Sequence, residues 1–96
     1  MYASVRRYTG IDPGAVDQVI QRRQEVEALM RGVPGFRAWY MLRADGGMIT
    51  VTVCDDQAGA EQSVRAAVGY VKQNMPDLIP NPPEVASGEV VLQITG

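Results

Sequence analysis

Apolar and polar positions alternate over the first strand-length segment, recur at helical spacing, then alternate again, and this succession of patterns runs through the chain twice. The first copy predicts a strand near Tyr2–Thr9, a helix near Pro13–Arg31 and a strand near Gly35–Arg43. The second predicts a strand near Met48–Asp55, a helix near Ala58–Asn74 and a strand near Gly88–Thr95. Asp12 and Pro13 mark the first helix start, as N-cap and first helical residue. Val16, Val19, Ile20, Val26 and Met30 form its apolar face, and Gly32, Pro34 and Gly35 end it. Ala60, Val64, Ala67, Val68, Val71 and Met75 give the second helix a buried stripe, with Asp55 or Asp56 as cap and Asn74-Met75-Pro76 as stop.

Between the two central strands stands Ala44-Asp45-Gly46-Gly47. Asp-Gly at that place predicts a type I′ hairpin turn, which needs positive φ at both central residues. The register follows: Leu42 opposite Ile49, Tyr40 opposite Val51, Ala38 opposite Val53. On the other face Trp39 meets Thr52, Met41 meets Thr50, and Arg37 meets Cys54. The first set is the more apolar and is assigned to the helices. The second leaves Trp39, Met41, Met48, Thr50 and Thr52 on a bare face, a candidate homodimer interface across a two-fold axis.

Two strand-helix-strand units joined by a hairpin specify an α+β, ferredoxin-like β-α-β-β-α-β fold. Right-handed crossovers put both helices on one face of a four-stranded antiparallel sheet with spatial order 4-1-3-2. At 96 residues the chain is expected to be a single domain. Five of the six prolines fall between Pro76 and Pro83 or at the helix stops, and Pro80-Asn81-Pro82-Pro83 reads as a stiff crossing to the last strand or as a pocket rim.

Composition narrows the chemistry. The net charge of −2 argues against nucleic acid as a partner. No apolar run is long enough to span a membrane, and no signal peptide is expected, so the localisation expected is cytoplasmic. A single cysteine, Cys54, allows no internal disulfide, and its neighbours Asp55 and Asp56 disfavour a reactive thiolate. There is no histidine, which removes Ser-His, Cys-His and His-metal sites. No metal site and no cofactor are expected. What remains is aromatic and arginine chemistry. One of Arg6 and Arg7 must face the helices, and Arg7 is favoured because Ala3 and Val5 share its side. Arg7, Tyr40, Tyr70 and Asn74 are therefore the candidate ligand-binding residues, suited to a flat, oxygenated molecule held between sheet and helices.

Pro34-Gly35-Phe36, opening the second strand, and Val51-Thr52-Val53-Cys54-Asp55-Asp56, leading into Ala58-Gly59-Ala60-Glu61, resemble the antibiotic biosynthesis monooxygenase-like group. The segment Pro80–Val85 with Gly88-Glu89-Val90 resembles a small bacterial subgroup of it without assigned function. The resemblance implies a dimeric α/β barrel. Some members of that group oxidise polycyclic phenols with oxygen and no cofactor, and others degrade haem. The haem-degrading branch uses a histidine ligand that this chain lacks, and the tryptophan common near the end of the third strand is replaced around Cys54. Two functions stay open: cofactor-independent oxidation or binding of a small aromatic or quinone-like molecule, and a non-catalytic dimeric ligand-binding or assembly module.

Overall fold

A computed structural model describes residues 1–96. In chain order the elements are β1 (Tyr2–Thr9), α1 (Ala15–Gln21), α2 (Arg23–Arg31), β2 (Phe36–Ala44), β3 (Gly47–Cys54), α3 (Gln57–Asn74) and β4 (Glu84–Glu89). The four strands form one antiparallel sheet in the order β2-β3-β1-β4. This is the ferredoxin-like order expected from the repeated pattern, with the helices packed over one face.

The hairpin register is the expected one from Ala38 opposite Val53 to Ala44 opposite Gly47. Two details differ. A bulge between Phe36 and Ala38 sets Phe36, not Arg37, opposite Cys54. The turn is not type I′ either, because Gly46 alone takes positive φ (74°) and no non-glycine residue does. The two-residue loop length preserves the register, since the same residues close the turn.

The predicted first helix is broken. Arg22 sits at φ −95°, ψ 25°, and its N–H is shared between the carbonyls of Gln18 and Val19, each at 3.1 Å. The run from Gln21 to Glu25 is polar and unburied there. Ile20, assigned to the apolar face, is instead 53% exposed. The N-cap position is Gly14, two residues after Asp12, which was expected to fill it. The Asp12 side chain accepts from Gly14 N at 2.8 Å and its carbonyl from Ala15 N at 2.9 Å, so the helix starts at Ala15. At α3 the Asp56 carboxylate accepts from Gly59 N at 3.0 Å, an N-cap worth about 1 kcal/mol. Gly59 is required because a Cβ there would collide with the Pro34 carbonyl oxygen beneath it.

The largest correction concerns the faces of the sheet. Trp39, Met41, Met48, Thr50, Thr52 and Cys54 face the helices, and Met48, Thr50, Thr52 and Cys54 are buried. Tyr40 and Leu42 are 59% and 49% exposed on the opposite face. Alternation along β1 turns with them: Ser4, Arg6 and Tyr8 point into the core, and Arg7 points out. The residues expected to form a bare contact face therefore line the core. The uncovered face carries Val5, Tyr40, Leu42, Ile49, Val51 and Val53.

The last strand is also displaced. β4 occupies Glu84–Glu89 rather than Gly88–Thr95. It runs antiparallel to β1 from Glu84 opposite Arg7 to Glu89 opposite Tyr2, and the bond from Val90 N to Met1 O at 2.9 Å is the last rung. The alternating segment that follows remains open, with Val91, Leu92 and Ile94 between 78% and 86% exposed.

Candidate functional site

At the centre of the core lies a charged side chain. Arg6 is wholly buried. Its Nε donates to Thr50 Oγ1 at 2.9 Å, Nη2 to Thr52 Oγ1 at 2.8 Å, and Nη1 to Ser4 Oγ at 3.0 Å and Ser63 Oγ at 3.4 Å. The two threonines come from β3, Ser4 from Arg6's own strand and Ser63 from α3 above. Ser63 donates its proton to the Ala60 carbonyl at 2.6 Å, so in the 3.1 Å contact between Ser63 and Ser4 the Ser4 hydroxyl is the donor. Every acceptor on the guanidinium is thus a neutral hydroxyl.

No carboxylate reaches Arg6. The four ion pairs of the protein engage other arginines: Arg22 with Glu25, Arg31 with Glu27, Arg37 with Asp55 and Arg43 with Asp17. Taking a cation out of water without a counter-charge costs several kcal/mol. Burial accordingly lowers the Arg6 pKa from its ordinary value, opposed by the nearby Tyr8 phenol and the Cys54 thiol. A guanidinium remains charged near neutrality despite such a shift. The core therefore contains one fixed, uncompensated positive charge.

Arg6 and Tyr8 line a cavity of about 40 Å³ between sheet and helices, together with Trp39, Thr50, Tyr70 and mostly aliphatic side chains. That is room for a few waters. The Trp39 indole N–H is buried and has no hydrogen-bond partner. Trp39, Val26 and Met30 also line a second space, a groove of about 330 Å³ between α2 and β2. The volume of the groove is within the range of small-molecule sites. Cavity and groove thus share a wall made of three side chains.

Of the candidate ligand residues, only Tyr70 lines the cavity. Its hydroxyl donates to Glu25 Oε2 at 3.0 Å, linking α3 to α2 across the top. Asn74 is exposed and its amide donates to the Tyr70 carbonyl one turn back. Arg7 and Tyr40 lie on the far face of the sheet, although Tyr40 also borders the groove, and the structure does not bring the four together. The residues missed were Arg6, Tyr8 and Trp39. A signal for them was present: Ser4, Thr50 and Thr52 all fall on Arg6's face of paired strands, a row of hydroxyls that a buried guanidinium needs.

Cys54 is buried but does not line the cavity, and burial followed by the Asp55 and Asp56 charges raises its pKa. No cluster of three acidic, thiol or imidazole groups stands close enough to hold a metal ion. No helix is long and apolar enough to cross a membrane.

No protein-family model and no curated protein matches the chain in sequence. Solved structures match it over nearly its full length. A protein of unknown function from Nitrosomonas europaea superposes with a TM-score of 0.74 at 18% identity, covering 99% of this chain and 93% of that one. The ActVA-Orf6 monooxygenase of Streptomyces coelicolor, in complex with nanaomycin D, gives 0.70 at 13% identity, covering 99% and 91%. The haem-degrading protein MhuD of Mycobacterium tuberculosis, with two haems in its active site, gives 0.69 at 13% identity, covering 99% and 100%. The chain has the fold of the antibiotic biosynthesis monooxygenase-like proteins.

Proposed function

We propose that this protein binds a small aromatic or quinone-like molecule and oxidises it with oxygen, without a cofactor, as a homodimer. The observation that carries the reading is the pairing of a buried, uncompensated Arg6 guanidinium with an unpartnered Trp39 N–H around one cavity. Such a site offers donors and positive charge, and no carboxylate or imidazole to act as base. It favours a ligand whose oxygen carries negative charge, a phenolate or enolate, over its neutral form. An electron-rich anion of that kind is the species that reacts with oxygen, so the work left to the protein is to stabilise the anion and exclude water. The groove against Trp39 has the volume for the ligand's ring, and the 40 Å³ cavity behind the same side chains holds the Arg6 charge.

One fold neighbour that supports this reading is a monooxygenase in complex with nanaomycin D. Haem is a poor fit to the residues present. The chain has no histidine, Cys54 does not line the cavity, and the cavity is far smaller than the macrocycle.

The homodimer part of the proposal rests on the uncovered sheet face. Tyr40 and Leu42 are exposed there beside Val5, Ile49, Val51 and Val53, and an apolar face of this kind is stabilised by packing on a second copy. The open segment after Val90 supplies further apolar side chains for the same contact. The cytoplasm suits a chain with one buried, unpaired thiol.

A thermal-shift panel of phenols, hydroxyquinones, flavins and haem tests the ligand class. A binder held at 100 times its Kd stabilises the protein by about 2.7 kcal/mol, several degrees for a domain of this size. Shifts confined to phenols and hydroxyquinones, followed by oxygen uptake in their presence, are the expected result. Binding without oxygen uptake would favour the non-catalytic ligand-binding module instead.

A further inference from the structure

The groove between α2 and β2 has a charge pattern that the cavity behind it does not share. Arg23, Arg31 and Arg37 line it, against the single carboxylate of Glu27. Glu27 is taken up by Arg31 at 2.9 Å along the helix, and Arg37 is engaged by Asp55. Arg23 has no ion-pair partner. The groove therefore presents one free guanidinium beside two that are each ion-paired, on a protein whose net charge is negative.

Its inner wall is Trp39, Val26 and Met30, the same side chains that bound the Arg6 cavity. A ligand whose ring lies in the groove against Trp39 has an edge beside the arginines. We propose that the groove is a carboxylate subsite: the ligand is a hydroxylated aromatic acid whose ring lies against Trp39 and whose carboxylate is held by Arg23. A guanidinium meets a carboxylate through two parallel N–H bonds, which fixes orientation as well as charge. This inference rests on the aromatic-ligand reading above and adds the second anionic group.

The test uses hydroxynaphthoate and its methyl ester, which share ring and hydroxyl and differ in the carboxylate charge. Quenching of Trp39, the only tryptophan, reports binding of either. The wild-type protein is expected to bind the acid about tenfold more tightly than the ester, the ratio that one charge-assisted contact gives. Arg23→Gln should bring the two affinities within about threefold of each other, leaving ester binding unchanged. Arg43→Gln removes the same charge from an arginine that does not line the groove, and should keep the full preference. Equal binding of acid and ester to the wild-type protein overturns the carboxylate subsite and leaves the aromatic reading standing. A preference that survives Arg23→Gln, or that Arg43→Gln also abolishes, overturns the role of Arg23. Binding of neither compound overturns both readings together.

Discussion

Arg6 donates from Nη2 to the Thr52 hydroxyl at 2.8 Å in the middle of the core, and both residues are wholly buried. A threonine here is not a tolerated polar residue on an apolar strand. It is part of the shell that replaces water around a charge. Thr52→Val keeps the side chain's shape and removes one acceptor, leaving a buried N–H unsatisfied. The expected loss is about 1–3 kcal/mol, read as a lower urea midpoint at unchanged slope.

Trp39→Phe separates stability from binding. It removes an N–H that has no partner in the free protein, which offsets the packing lost with the indole. Stability should change by less than about 1 kcal/mol. Affinity for a phenolic ligand should fall by about fivefold to tenfold, the worth of one hydrogen bond. Calorimetry measures it without relying on tryptophan emission. An unchanged affinity removes the indole N–H from the site.

Alkaline pH should destabilise the protein. Burial raises the pKa of the Tyr8 phenol and of the Cys54 thiol above their ordinary values. The native state therefore holds these protons more tightly than the unfolded chain does. Their contribution is complete below the unfolded pKa values and is lost as pH rises through the native ones. Denaturation midpoints should decline above about pH 9, where an ordinary thiol ionises, and further as tyrosines follow.

Val51→Lys tests the uncovered sheet face. Val51 lies in β3 opposite both Tyr40 and Val5, at the centre of that face. A charge there leaves the monomer's core untouched and should halve the mass seen by sedimentation at micromolar concentration. A wild-type protein that already sediments as a monomer would contradict the homodimer.

The sequence carried the strand order and the hairpin register, because both follow from the period of the pattern and the length of one turn. It did not carry which face the helices cover. Counting apolar residues favours Tyr40, Leu42, Ile49, Val51 and Val53 as the inside. They are outside because Arg6 brings Ser4, Thr50, Thr52 and Ser63 into the core as its solvating shell. One inverted face moved both strand candidates by one residue, from Arg6 to Arg7 and from Trp39 to Tyr40. Tyr70, placed by the helical period of α3, was unaffected. The last strand was misplaced for a different reason. Leu92 and Ile94 alternate as a strand should, yet the segment that pairs with β1 is Glu84–Glu89, with Val90 N as its last bond.

The central claim is that a fixed cation and free donors around one cavity select the anionic form of an aromatic ligand. Its most direct measurement is the Kd of a hydroxyquinone, followed by Trp39 fluorescence across the ligand's own phenol pKa and below the pH at which the protein loosens. Affinity that rises as the ligand ionises, and loses that pH dependence in Arg6→Met at retained fold, is the predicted result. Affinity that falls on ionisation, or the absence of saturable quenching at any pH, would contradict it.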